Sequence, residues 1–413
     1  MTTDSKQCGR QPGCPLASLI DVNMIRSGPT SLLLAVLALA LVFFAHVGTA
    51  HAQEAPYRYF SIGDPTRTVA LPARHPSTSL VLMGGGADVD QAFRWMIRRA
   101  GVQAGTGGRF VVLRARGTDA YNPYIYYSGP DRRRRGAPTR NWVGGAMLGL
   151  SSVETLVLPN RAAAEDPFVN AVVRSASAVF IAGGDQSQYI RFWKGTALER
   201  SLNELLSRNV PVGGTSAGLA ILGEYSFSAL QGSIDSKAAL SNPFDPRITL
   251  DPSTKSPGKS FLAPAPLLGI MTDSHFDKRD RMGRLVAFLS RLGGAQGGGC
   301  ASALTEADAK ATALGRGIGV SEQAALLIQG ADDGQDFLAR RIRNPWSDSE
   351  GAVYFVRPLV RATGCHAGAP LTIDEVEIRK LSDSRAVFNL SNWSGVDAYK
   401  VSVKNGSFDI PPY

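Results

Sequence analysis

Cysteine and histidine are scarce in this chain of 413 residues, which holds 4 Cys and 5 His. The sequence has no Cys-x-x-Cys pair and no Cys/His cluster, so a zinc site would have no obvious ligands. It shows no fixed-period repeat and no long low-complexity tract, which sets aside solenoids and mainly disordered chains. The apolar run from Leu32 to Ala45 is shorter than the roughly 20 residues a membrane-spanning helix needs. What remains is ordinary globular composition, 44% apolar with 44 Gly and 24 Pro, with room for one large domain or two small ones.

The formal charge is +9. Part of the excess sits in Arg132-Arg133-Arg134-Arg135, flanked by Gly, Pro and Asp. Such a run is a solvated loop more often than a nucleic-acid patch.

The first fifty residues have the three parts of a secretory signal peptide. Met24-Ile25-Arg26-Ser27 supplies the basic segment, Leu32 to Ala45 the apolar core, and Ala50-His51-Ala52 the small-x-small ending. The rival reading is an uncleaved N-terminal anchor. Met24 fits a start better than Met1, because the first 23 residues carry no pattern. The expectation is residues 1–52 as signal peptide, a mature chain beginning near Gln53, and a periplasmic or extracellular location. No nucleic acid and no stable membrane span are then expected as partners. Cleavage also removes Cys8 and Cys14, leaving Cys300 and Cys365 free to pair in an oxidising compartment.

Along the mature chain, short apolar runs alternate with helical patterns. Ser79–Met83 ends at Gly84-Gly85-Gly86, and a helix pattern follows with Ala92, Phe93, Met96 and Ile97 on one face. Phe110–Leu113 and Thr155–Leu158 come next, and Ala178–Ile181 ends at Gly183-Gly184-Asp185. Val210–Gly214 runs into Ser216. Continuous rather than alternating apolar runs suit a parallel sheet covered on both faces. The expected fold is therefore α/β: a doubly wound, mainly parallel sheet with helices on both faces. Its functional sites are expected beyond the carboxyl ends of the strands, where the three glycine turns lie. After residue 350 the runs shorten and partly alternate, predicting a β-rich C-terminal extension over 331–413, packed on a core domain of 53–330.

Gly214-Thr215-Ser216-Ala217-Gly218 satisfies the nucleophile-elbow pattern, a serine on a sharp strand-to-helix turn. A serine nucleophile needs a base, commonly His. His46 and His51 leave with the signal peptide, His75 precedes the first core strand, and His366 lies in a Gly-rich loop. His275 alone stands at a strand-to-helix junction. Candidates for the orienting acid between them are Glu224, Asp235, Asp245, Asp251 and Asp273. Asp235, in a loop-like segment, is the choice, while Asp273 suits a substrate contact better.

These residues together resemble the cyanophycinase and dipeptidase E family of serine peptidases, which have the class I glutamine-amidotransferase-like fold. The resemblance spans roughly residues 79 to 328. It rests on Met83–Gly86, Ala182–Gln186, Gly214–Gly218, Asp273–Leu285 and Gly317–Leu326, the His-Phe-x-x-Arg-x-Arg pattern at 275–281 being the most specific. It implies Ser216 as nucleophile, His275 as base and oxyanion donors near Gly184 and Ala217. It also implies substrate contacts from Gln186, Asp273, Arg279, Arg281 and Arg284, and a peptide or poly-amino-acid substrate with no cofactor and no metal. Arginine forks suit an enzyme that reads aspartyl groups. The chain departs from that family at Ser274, where Gln is typical, and in its longer C-terminal region; both bear on the substrate. A homodimer stays open. So do two other readings, an α/β-hydrolase esterase and a non-catalytic binding protein on the same fold. The esterase would place its His later in the domain.

Overall fold

The computed structural model describes residues 54–67, 72, 74–131, 140–253, 259–292, 315–331 and 334–413. The expected signal peptide, the Arg132–Arg135 run and Cys300 lie outside the described residues. Residues 55–413 form one compact unit. Among the described residues no helix is long and apolar enough to cross a membrane.

The first half of this unit alternates strand and helix. Its elements are β1 (Arg58–Gly63), β2 (Ser79–Met83), α1 (Asp90–Arg99), β3 (Arg109–Arg114), β4 (Ser152–Val157), α2 (Pro167–Arg174), β5 (Ala178–Ile181), α3 (Gln186–Trp193), α4 (Ala197–Ser207) and β6 (Val212–Thr215). Then follow α5 (Ala217–Ala220), α6 (Ser236–Ser241), β7 (Ile270–Asp273), α7 (Met282–Leu292), β8 (Arg316–Val320) and β9 (Ala324–Gly330). The remainder is strand: β10 (Phe337–Arg343), β11 (Val353–Pro358), β12 (Ile373–Leu381), β13 (Phe388–Asn389), β14 (Ala398–Lys404) and β15 (Ser407–Phe408).

Two sheets organise these elements. The larger has nine strands in the order β1-β4-β3-β5-β6-β2-β9-β10-β13. Its centre, β4-β3-β5-β6-β2, is parallel throughout. Antiparallel strands flank it on both sides. The sheet buries both faces, as the apolar runs require. Leu80, Leu82, Val111 and Leu113 pack with α2 and α4 residues such as Val169, Val173, Leu198 and Leu202. Val81, Met83, Phe110 and Val112 point the other way, onto Phe93, Met96 and Ile97 of α1. The α/β fold with helices on both faces is thus present, with a parallel centre and mixed margins.

The second sheet has six strands in the order β7-β8-β11-β12-β14-β15, and only β7 and β8 run parallel. It packs with α6 and α7 around Phe276, Leu285, Phe288, Val356 and Ile378. The β-rich region joins both sheets: β10 extends the first beside β9, while β11, β12 and β14 build out the second. Cys365, on the stretch between β11 and β12, is buried and disulfide-bonded.

The chain passes from the second sheet to the first between β8 and β9, through only Ser321, Glu322 and Gln323. In the first sheet Met83 lies opposite Thr215, and Ile181 opposite Gly214. The three glycine turns therefore share one edge. The β8–β9 crossover reaches the same edge, since the N–H of Gln323 donates to Gly85 O at 2.8 Å.

Candidate active site

Ser216 follows β6 directly and has φ 53° and ψ −116°, a conformation unusual for a side-chain-bearing residue. Strain of this kind costs of order 1–3 kcal/mol and persists only where the surroundings enforce it. Here two glycines permit the close packing that does so. A Cβ on Gly214 would lie 2.5 Å from the carbonyl carbon of Gly218, and one on Gly218 would lie 2.1 Å from Ile181 O. The N–H of Ser216 is pinned to Met83 O at 3.1 Å. Ala217 opens α5, and the first N–H groups of a helix have no acceptor within it. Gly183 lies on the other side, close enough that a Cβ there would be 3.3 Å from Ser216 Cβ. Gly184 follows it, exposed.

His275 lies two residues beyond β7, also left-handed at φ 49°, with its N–H bonded to Gly84 O at 2.7 Å. Its Nε2 is 2.7 Å from Ser216 Oγ. Its Nδ1 is 2.6 Å from Glu322 Oε1. A carboxylate only accepts, so Nδ1 carries the proton and Nε2 is left to accept from the serine hydroxyl. The ring is that close because Gly85 has no side chain: a Cβ there would fall 2.4 Å from His275 Cε1.

The His275 pKa lies below the ordinary imidazole value. Burial is the largest cause; the hydrogen bond to Glu322 pulls upward, and Arg279 and Arg281 push down again. A ring kept neutral near pH 7 is a ring able to take a proton.

Glu322 stands where Asp235 was expected. Asp235 is exposed and is the N-cap of α6, its Oδ1 accepting from Ala238 N at 2.8 Å. It does not contact His275. Glu322 lies 47 residues after the histidine, outside the Ser216–His275 interval in which the acid is expected from the sequence. The available signal was a carboxylate in a three-residue gap between two buried strands, inside the motif 317–326.

The remaining expected site residues divide. Asp273 and Arg284 are both buried and bind each other, Arg284 Nη2 to Asp273 Oδ1 at 2.6 Å and Nε to Oδ2 at 2.8 Å. The last nitrogen of Arg284 donates to Ile234 O at 3.2 Å. Burial pushes the Asp273 carboxyl up, but Arg284 and Arg281 outweigh it and hold it below the usual aspartate range. This pair is internal structure rather than a free substrate-binding group, because both side chains are buried and all three guanidinium nitrogens bond to protein acceptors. Arg281 also binds Asp273, at 3.2 Å, and Ser274 O at 2.8 Å; burial brings its pKa down to about 10. Arg279 is exposed on the same turn. Gln186 begins α3 and donates to Phe227 O at 3.3 Å. A cavity of about 440 Å³ opens at Glu322, lined by Asp277, Lys278, Gln323, Asp348 and Ser349. Among the described residues no group of three or more His, Cys, Asp or Glu could hold a metal ion.

Hydroxyl, imidazole and carboxylate stand in series at the carboxyl edge of a parallel sheet, the arrangement that nucleophilic hydrolases use. Its sequence relatives are peptidases. Residues 145–241 match the model of peptidase family S51. That interval holds Gly184, Gln186 and Ser216 and stops before His275 and Glu322. The chain is 29% identical to a cyanophycinase of Synechococcus elongatus over 178 residues, 41% of this chain and 49% of that protein. It is 30% identical to a cyanophycinase of Geminocystis herdmanii over 148 residues, 35% of this chain and 47% of that one. The chain thus spans about half the length of the curated relatives it matches. Among solved structures, a peptidase from an acI-B1 Actinobacterium overlaps with TM-score 0.41 at 14% identity, covering 71% of this chain and 96% of that one. A putative peptidase E from Listeria monocytogenes EGD-e overlaps with TM-score 0.33 at 13% identity, covering 64% and 99%.

Proposed function

We propose that the chain is an exported serine-type exopeptidase, periplasmic or extracellular, that hydrolyses aspartyl-containing peptides or cyanophycin to dipeptides through an acyl-enzyme. The observation that carries this reading is the unbroken series Ser216 Oγ, His275, Glu322, with links of 2.7 and 2.6 Å. Ser216 Oγ attacks the scissile carbonyl as His275 Nε2 takes its proton. The imidazolium that forms is stabilised by Glu322. The tetrahedral oxyanion is met by the N–H of Ala217 and by the Gly183-Gly184 turn. His275 then returns the proton to the leaving amine, and water, activated by the same nitrogen, releases the second product. The peptidase family match and the cyanophycinase relatives support the substrate class. Exposed Arg279, beside the histidine, is the cation best placed to meet a substrate carboxylate. Export rests on the N-terminal sequence pattern.

The test gives purified protein cyanophycin and a set of peptides with N-terminal Asp, beside Ser216→Ala. The expected result is dipeptide release that falls by roughly ten-thousand-fold or more in the variant. Equal release by both proteins would sink the mechanism. Release from short Asp peptides but not from the polymer would move the substrate toward dipeptides.

A further inference from the structure

The turn that carries His275 is braced by a side chain far along the chain. Phe276, the next residue, is fully buried, and its N–H donates to Val320 O at 3.2 Å. Its ring lies so close to Gly319 that a Cβ there would be 2.4 Å away. The turn then closes through Arg279 N to His275 O at 3.1 Å and Arg281 N to Phe276 O at 2.9 Å. It contains two left-handed non-glycine residues, His275 at φ 49° and Asp280 at φ 45°. Such residues stay in place only where their surroundings over-determine them.

Tyr413 adds a constraint from outside the turn. Its hydroxyl accepts from Met282 N at 2.8 Å, satisfying a free N–H at the start of α7. The same oxygen is 3.1 Å from Asp280 Oδ1 and 3.3 Å from Phe276 O, one of which takes its proton. Its ring stands edge-on to Phe276 at 6.1 Å and to Tyr354 at 5.5 Å. One side chain therefore touches the beginning of the turn, its end and the helix beyond it. The segment leading to it is itself held. Asp409 Oδ1 accepts from Ser402 N at 2.8 Å, and Tyr399 donates to Pro412 O at 3.0 Å. Pro411 and Pro412 limit the backbone between these anchors.

We propose that Tyr413 is a positioning residue for His275, holding the 276–281 turn so that the imidazole faces Ser216. The inference rests on the reading of Ser216, His275 and Glu322 as the reacting groups. Tyr413 touches none of the three. It acts through the backbone of Phe276 and Met282 and through the Asp280 carboxylate.

The test reads covalent labelling of Ser216 by a fluorophosphonate, separating the maximal labelling rate from the apparent affinity of the probe. Tyr413→Phe keeps the ring and removes the hydrogen bonds, while Tyr413→Ala removes both. The maximal rate is expected to fall about tenfold in the first and roughly a hundredfold in the second, with the affinity unchanged. Asn160→Ala serves as control: it removes a helix cap remote in sequence from the turn, where Asn160 Oδ1 accepts from Ala163 N at 2.9 Å. Its labelling rate is expected to match the wild type despite its lower melting temperature. Wild-type rates in both Tyr413 variants would overturn the proposal, as would an equal loss in the control. Labelling that persists in Ser216→Ala would instead remove the reading of the site, and this inference with it.

Discussion

Replacing Glu322 by Gln keeps the shape of the side chain and removes the charge that favours a protonated His275. The rate is expected to drop by about a hundred- to ten-thousand-fold, since the carboxylate both fixes the tautomer and stabilises the imidazolium. The pH profile carries the sign. His275 must be neutral to act as base, so activity rises with pH through its pKa, with a midpoint below the ordinary imidazole value. Glu322 pulls that pKa upward, so Glu322→Gln should move the midpoint lower still. Asp235→Ala is the contrast: loss of the α6 cap costs about 1 kcal/mol of stability and leaves the rate constant intact. A rate loss in Asp235→Ala matching that of Glu322→Gln would contradict the geometry. At this scale the sequence was readable where chemistry is local. Ser216 announces itself through the glycines that permit its turn, and His275 through elimination. Glu322 makes no local pattern, because what brings it to the histidine is a crossover between sheets.

At the scale of elements, the glycine turn after β2 does more than reverse the chain. Gly85 has φ 96° and faces the imidazole, so Gly85→Ala puts a methyl where the ring is and strains the backbone as well. A shift of about 1 Å in a reacting group can cost a hundredfold. Loss of at least that size, with far-ultraviolet circular dichroism unchanged, is the expected outcome. Continuous buried runs such as Leu80–Met83 and Phe110–Leu113 could be read directly as central strands. Three other strands lay outside that signal. β1 is mostly exposed or half-buried, β10 carries Arg340, Arg341 and Arg343, and β14 alternates polar and apolar residues. Margins and one-sided sheets lack the uniform hydrophobicity that marks a parallel centre. In the same region Ile373–Leu381 is a single strand with an irregular register near its start.

Over the whole molecule, the buried Asp273–Arg284 pair ties β7 to α7. Asp273→Asn leaves a buried guanidinium without its counter-charge, and its expected cost is about 3–5 kcal/mol, read from urea unfolding at pH 7. The pH dependence has a definite direction. Folding lowers the Asp273 pKa, so the pair stabilises the protein above the ordinary aspartate value of about 3.9. That contribution is lost as pH falls through the lower folded value, and the variant should show a flatter acid limb.

The three-residue passage between β8 and β9 has a consequence of its own. Ser216 stands on one sheet, His275 hangs from the other, and Glu322 occupies the bridge between them, with 59 and 47 residues separating successive members. A chain in which only the first layer has consolidated carries an inert hydroxyl. The three groups meet only where both layers have closed around the bridge, so turnover by the proposed mechanism would double as a readout of finished assembly.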